Sequence, residues 1–261
     1  MKHILYLAAI VLLAVSCQNS EVSSQNSVGT VVRDTIHGTP CCVYLPNEVP
    51  SNQVPSTKYP VLYLQHGMYG NEDDWTRQGR LVEIMDSLRQ AGEVKEMVVI
   101  MPDNCPSRPT SEEERANAMN GEWIKQFPAF MAEAEAKYPI SCDPSRRAIA
   151  GLSMGGFHTL HVSHYLHGQF AYVGLFSAAI LPVEPVAIYD HWEEEIREQI
   201  QHTTLYWIGI GREDFLYDFN TDYRRWLEAN HLEYTYYESA GGHTWDNWQD
   251  YISRFLPKLF K

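Results

Sequence analysis

The chain has 261 residues, of which 44% are hydrophobic and 20% charged, with a formal net charge of −13. That composition excludes a disordered or low-complexity chain, and so strong an acidic excess argues against nucleic acid or anionic lipid as a partner. Neutral or cationic partners are easier to accommodate.

Met1-Lys2-His3 is a short basic start, and Ile4 to Val15 is an apolar run too short to span a bilayer. The pair fits a secretory signal. Ser16-Cys17 then places a small residue directly before a cysteine, which resembles a bacterial lipoprotein signal. On that reading residues 1–16 are removed and Cys17 is lipidated. The expected location is exported and membrane-anchored, in the periplasm or at the cell surface, with the lipid as the sole membrane contact. Ala14 departs from the pattern, which usually has a larger aliphatic there, and ordinary cleavage would leave Cys17 a spare thiol. Residues 17–29 are rich in Ser, Asn, Gln and Glu and read as a flexible tether. Residues 30–261 are expected to form one domain, since no internal repeat or second boundary is visible.

Thr30 to Ile36 and Cys41 to Leu45 read as an edge hairpin turning at His37-Gly38-Thr39-Pro40. Tyr59 to Gln65 is the first buried strand. Asp73-Asp74 offers N-caps to a helical stretch whose clearest part is Leu81 to Gln90. Met97 to Met101 is another apolar strand, and a polar loop follows from Asn104 to Asn120. Trp123 to Tyr138 is amphipathic, with Pro128 a potential kink. Ala148-Ile149-Ala150, Leu205 to Gly211 and Glu233 to Glu238 complete the strands that can be read. Strands alternating with helices imply an α/β class with a mostly parallel sheet, helices on both faces, and loops gathered beyond the strands' carboxyl ends. Cys41, Cys42, Cys105 and Cys142 allow several pairings, so no bridge is assigned, and no C-x-x-C pair suggests a metal.

Gly151-Leu152-Ser153-Met154-Gly155 is a G-x-S-x-G between a strand and a helix running to Tyr165, the context of a nucleophile elbow. Asp214 follows a later strand in Gly211-Arg212-Glu213-Asp214, and His243 follows the next in Gly241-Gly242-His243. The order Ser, Asp, His is that of an α/β-hydrolase. Ser153 would be the nucleophile, His243 the general base, and Asp214 the acid orienting it, with Glu213 and Asp218 close enough to compete. The amides of Met68 and Met154 would hold the oxyanion, one after the first buried strand and one at the helix start.

These pieces resemble the esterase D-type α/β-hydrolases, and within them carbohydrate esterase family 1. The resemblance rests on His66-Gly67-Met68-Tyr69-Gly70 with Asp74-Trp75, Gly151 to Gly156, Gly211 to Asp214, and Gly241-Gly242-His243 with Trp248. It implies the α/β-hydrolase fold, an acyl-enzyme on Ser153, and no metal or cofactor. The same broad family holds feruloyl and acetylxylan esterases, S-formylglutathione hydrolases and mycolyltransferase-like enzymes. With an export signal, the resemblance points first to feruloyl esters of xylan, then to acetylxylan, as an ester-substituted carbohydrate substrate. Acyl transfer to a sugar, and a catalytically silent glycan-binding lipoprotein, are the alternatives that the sequence leaves open. Oligomeric state is not legible.

Among the aromatics, Trp75, Trp123, Trp245 and Trp248 fall near the loops of the site. Trp75 and Trp245 are the expected substrate contacts, able to stack on a sugar or phenolic ring. His158, His161, His164 and His167 recur every three residues, and the drift around the helix prevents all four from converging on a metal. They read as helix packing with partly exposed imidazoles. Glu112 to Glu114 and Glu193 to Glu195 read as solvated faces or loops.

Overall fold

The computed structural model describes residues 29–46, 58–105, 110–114, 119, 121–180 and 192–261. The expected signal peptide, Cys17 and the tether up to residue 28 lie outside them, as does much of the loop after Asn104. No helix of the described residues is long and apolar enough to cross a membrane.

Eight strands form one sheet: β1 (Thr30–Ile36), β2 (Thr39–Leu45), β3 (Val61–Gln65), β4 (Val98–Pro102), β5 (Arg147–Leu152), β6 (Tyr172–Phe176), β7 (Leu205–Gly211) and β8 (Thr235–Ser239), in the order β1-β2-β4-β3-β5-β6-β7-β8. The β1–β2 hairpin is antiparallel and joins β4 antiparallel. Every other pairing is parallel. β3 to β6 are buried on both faces, which is why they read as unbroken apolar runs. Among the described residues, the helices that cover the sheet include α1 (Asp74–Arg77), α2 (Leu81–Gln90), α3 (Glu122–Lys137), α4 (Met154–Tyr165), α5 (Trp192–Gln201), α6 (Tyr217–Ala229) and α7 (Trp245–Phe255). Residues of α3 to α6 pack into one core with Tyr63, Ile149 and Val173. Residues of α1, α2 and α7 pack into the other with Leu62, Leu64 and Phe176. This is the α/β-hydrolase architecture expected.

The register positions the site. Gln65 lies beside Gly151, Leu152 beside Phe176, Phe176 beside Gly209, and Gly211 beside Ser239. Five carboxyl ends, those of β3, β5, β6, β7 and β8, therefore finish in a staggered row, and the loop after each begins on one rim of the sheet.

Several elements differ from expectation. β6 was not legible because Tyr172-Val-Gly-Leu-Phe176 is short and has glycine at its centre. Glu193 to Glu195, expected as a solvated face or loop, form a largely exposed first turn of α5, where the helix dipole favours carboxylates. Asp73 is next to α1 but makes no cap bond. Its carboxylate instead receives Arg33 and the Cys42 thiol, the latter at 3.1 Å. Pro128 sits inside α3 without ending it. Among the described residues, Cys41, Cys42, Cys105 and Cys142 form no disulfide.

The histidine row on α4 is more deeply packed than expected. His158, His161 and His164 are buried, and only His167 reaches the surface, 3.1 Å from Glu198. Burial pushes the His161 pKa down to about 3, with nearby His158 adding to the effect, and pushes His164 well below its ordinary value. The unfolded chain takes up a proton on each near pH 6.5, whereas the fold refuses it until far lower pH. The unfolded state thus binds more protons, so this contribution is complete above about pH 6.5 and is lost as pH falls toward 3. His161→Gln should reduce the slope of unfolding free energy against pH, between pH 6 and 4, by about 1.4 kcal/mol per pH unit, one proton's worth. Urea melts at several pH values would measure it, and an unchanged slope would show that His161 is charged in the folded state.

Candidate active site

The position of the expected nucleophile follows from how β5 turns into α4. Ser153 sits between them with φ +54° and ψ −119°, a conformation that a non-glycine residue holds only at a cost of about 1–3 kcal/mol. The turn is pinned on both sides. The Ser153 amide donates to Phe176 O at 3.0 Å, and its carbonyl accepts from the Ala179 amide at 3.0 Å. Two residues on, a Cβ at Gly155 would lie 2.3 Å from His66 O, so only glycine lets α4 start this close to the end of β3. Met154 is the first residue of α4, and its amide has no acceptor within the helix. Its side chain is buried.

The loop after β3 arrives beside that turn. Gly67 places its bare Cα against the serine, since a Cβ there would lie 3.4 Å from Ser153 Cβ and 2.6 Å from Leu152 Cδ1. Gly67 to Gly70 then close a turn, with the Gly70 amide donating to Gly67 O at 3.2 Å. Tyr69 occupies its third position at φ +68°, where glycine or asparagine is usual. Met68, Tyr69, Met154 and Ser153 all face one cavity.

His243 and Asp214 come from the loops after β8 and β7. His243 Nδ1 donates to Asp214 at 2.9 Å from Oδ2 and 3.1 Å from Oδ1. Neither Glu213 nor Asp218 makes such a contact; the carboxylate that meets the imidazole is Asp214. Its side chain is wholly buried, which alone would raise its pKa. The hydrogen bonds from His243 and from the Leu216 amide, the latter at 2.9 Å, outweigh burial and hold it below the ordinary carboxylate value. An anion is thereby fixed on the far side of the ring from the cavity. The imidazole also lies between two aromatic rings, Phe215 at 4.5 Å and Trp248 edge-on at 4.9 Å.

Ser153 and His243 line the same cavity, of about 510 Å³. Its walls are mostly apolar: Met68, Tyr69, Met119, Leu152, Phe215 and Trp245, with Asp74 and Gln78 as further polar side chains. Of the two expected substrate contacts, Trp245 lines it. Trp75 does not, which corrects the sequence reading. It is the apolar residue of the short helix α1 and is 1% exposed, with its indole N–H given to Gln65 O at 3.0 Å. It supports Trp245 from beneath, ring to ring at 5.4 Å. Trp123 is likewise internal, donating to Gln65 Oε1 at 3.1 Å. Among the described residues no group of three or more His, Cys, Asp or Glu could hold a metal ion.

Residues 37–259 match the family Esterase, described as "Putative esterase". The chain belongs to that family. This esterase is 24% identical over 246 residues to an acetyl esterase of Caldicellulosiruptor saccharolyticus, covering 83% of this chain and 89% of the relative. It is 24% identical over 209 residues to an endo-1,4-beta-xylanase/feruloyl esterase of Xylanibacter ruminicola, covering 78% of this chain but only 27% of that protein. Among solved structures it is similar to a CE1 ferulic acid esterase from Anaeromyces mucronatus in complex with ferulic acid. That match has TM-score 0.74 and 25% identity, and covers 89% of this chain and 91% of the other. The chain is accordingly a carboxylic ester hydrolase of the α/β-hydrolase fold.

Sequence reasoning missed Tyr69, Phe215, Met119 and Gln78 as parts of the cavity wall. Phe215 carried a readable signal, an aromatic residue directly after the candidate acid; it is 71% exposed. The geometry of the acid gives a direct test. Asp214→Asn should keep the fold while lowering esterase kcat by up to ~10⁴, because the amide no longer selects the productive histidine tautomer. Asp218→Asn should remain near wild type. Steady-state kinetics on a small aryl ester decides it, and the reverse ranking would move the acid to Asp218.

Proposed function

We propose that this esterase is an exported serine hydrolase that removes feruloyl groups from xylan. The observation that carries the reading is the cavity at Ser153: it is mostly apolar, walled by Tyr69, Phe215 and Trp245, and of a size that receives drug-like ligands, about 300–1,000 Å³. An acetyl group would leave most of that wall uncovered. A phenolic acyl chain would lay its ring against the aromatic side chains, with Asp74 and Gln78 available to its hydroxyl and methoxyl groups. The ferulic acid complex of the Anaeromyces protein and the name of the Xylanibacter relative support the same substrate class.

The chemistry proceeds in two halves. Ser153 Oγ attacks the ester carbonyl carbon while His243 Nε2 takes the hydroxyl proton, and Asp214 stabilises the imidazolium through Nδ1–H. The carbonyl oxygen becomes an oxyanion facing the Met68 and Met154 amides. Collapse breaks the carbon–oxygen bond to the sugar, which leaves with the proton from His243. Water then attacks the acyl-enzyme, gives its proton to His243, and returns Ser153 to its free form with release of the acid.

Export and lipid attachment at Cys17 belong to this reading, since xylan is an extracellular polymer. They rest on the Ile4–Val15 run and Ser16-Cys17. A second reading, acetyl ester hydrolysis, is favoured by the Caldicellulosiruptor relative.

Acid release from feruloylated arabinoxylan oligosaccharides and from acetylated xylan distinguishes the two. Ferulate should be released faster than acetate, and Ser153→Ala should lose both by up to ~10⁶ with its melting temperature kept. Faster acetate release would replace the substrate, and an active Ser153→Ala protein would remove the nucleophile. Phe215→Ala should weaken kcat/KM for a feruloyl ester about tenfold, an aromatic contact of roughly 1–1.5 kcal/mol, with less effect on an acetyl ester. Equal losses on both esters would place the acyl ring elsewhere.

A further inference from the structure

We infer that His66 is a positioning residue that aims the Met68 amide at the reacting carbonyl. The inference rests on the reading of Met68 N–H as an oxyanion donor.

His66 is 1% exposed and is the first residue after β3, where the chain enters the loop beside Ser153. Its Nδ1 lies 2.6 Å from Gly67 O. A carbonyl oxygen has only lone pairs, so so short a contact requires the ring proton on Nδ1. That holds whatever the other ring nitrogen does. Nε2 meets the Asn104 amide at 3.1 Å and Asp103 Oδ1 at 3.2 Å. If Nε2 accepts from the Asn104 N–H, the ring is neutral and its proton is on Nδ1. If Nε2 also carries a proton and gives it to Asp103, Nδ1 is still protonated. In both states Gly67 O is held toward the imidazole.

Planarity converts this contact into a direction for the oxyanion donor. Gly67 C=O and Met68 N–H belong to one trans peptide, so they point opposite ways. An oxygen turned inward to His66 turns the Met68 N–H the opposite way, out of the loop whose Gly67 approaches Ser153 so closely that a Cβ there would lie 3.4 Å from Ser153 Cβ. Without the imidazole, Gly67 O would keep only the Gly70 amide at 3.2 Å, within a turn already strained at Tyr69. A glycine on one side of that peptide gives it little resistance to rotation.

The imidazole is itself fixed by a buried polar set. Asn104 Nδ2 donates to His66 O at 3.1 Å and to Gln65 Oε1 at 3.0 Å, and Trp123 Nε1 donates to the same Gln65 oxygen. Trp75 Nε1 caps Gln65 O. Each of these groups is buried, and together they give the ring one orientation.

Asparagine places an amide nitrogen near the position of Nδ1, whereas glutamine reaches the position of Nε2. His66→Asn can therefore still donate to Gly67 O, and His66→Gln cannot. His66→Gln should lose about 10²-fold in kcat on an aryl ester with KM within a few fold, the cost of a misaimed donor. His66→Asn should keep kcat within about tenfold, even where its melting temperature falls as far as that of His66→Gln. Equal loss in both variants, or wild-type kcat in His66→Gln, overturns the inference. If neither variant folds, the ¹⁵N spectrum of His66 in the wild-type enzyme still tests it, since Nδ1 must carry a proton; a bare Nδ1 overturns it. Ser153→Ala, assayed in parallel, separates this outcome from failure of the serine mechanism itself, which alone would leave that variant active.

Discussion

The structure depends on one close approach: the start of α4 passes within touching distance of the end of β3. Gly155 abuts His66 O, so the helix can begin directly beneath the loop that follows β3. The chain reaches that place only by reversing sharply at Ser153, in a conformation that costs energy. Backbone hydrogen bonds to Phe176 and Ala179 hold the reversal, so the cost is borne by the parallel sheet. In return the serine hydroxyl, the Met154 amide and the Gly67–Met68 peptide occupy one small volume. No flexible loop has to move to bring them together.

The motifs that were legible in the sequence are those in which local geometry dictates residue type. A sharp strand-to-helix turn demands small residues, so Gly151 to Gly156 announced the elbow. The order of Ser153, Asp214 and His243 followed from strands that could be read one by one. What stayed hidden depends on distant parts of the chain. Trp75 is next to an active-site loop in sequence, yet a four-residue helix with one apolar side chain has to bury it. Its neighbour Asp74 faces the cavity instead. Likewise Asn104 meets His66 across 38 positions, a contact between the ends of β3 and β4 that no local pattern encodes. α5 to α7 were obscured differently, since acidic or aromatic-rich stretches hide a 3.6-residue period that is clear once the buried face is known.

The two halves of the site are held by different physics. On the side of the loop after β3, hydrogen bonds among Gln65, Asn104, His66 and the indoles of Trp75 and Trp123 give these buried groups direction. On the side of His243, the directional anchor is Asp214. Orientation of the ring is completed by Phe215 and Trp248, and Trp248 packs edge-on against Trp245 at 5.1 Å. That row of indoles continues to Trp75 and thence to Phe176 beneath the sheet's rim. Van der Waals contact restrains a ring without fixing its proton, which is what a group that must accept and return a proton requires.

The division suits the tasks. An oxyanion donor contributes most when it is already aimed and cannot relax, because reorganising it during reaction would spend the stabilisation it gives. On the proposed mechanism His243 exchanges protons with serine, sugar and water, and such a base needs an anion behind it and an apolar wall around it. Burial of Asp214 with two donors supplies a carboxylate that stays ionised into the acid range, so the charge opposing the imidazolium persists through the cycle. The cavity wall is then built from what the two halves leave exposed: Tyr69 from the strained turn, Phe215 from the residue after Asp214, and Trp245 from the start of α7. Each of these wall residues lies within three positions of a residue that the chemistry needs. Loops short enough to hold a catalytic group rigidly therefore also fix the wall that selects the acyl chain, and substrate choice can change by substitution at Tyr69, Phe215 or Trp245 while the hydrogen-bonded frame beneath them stays as it is.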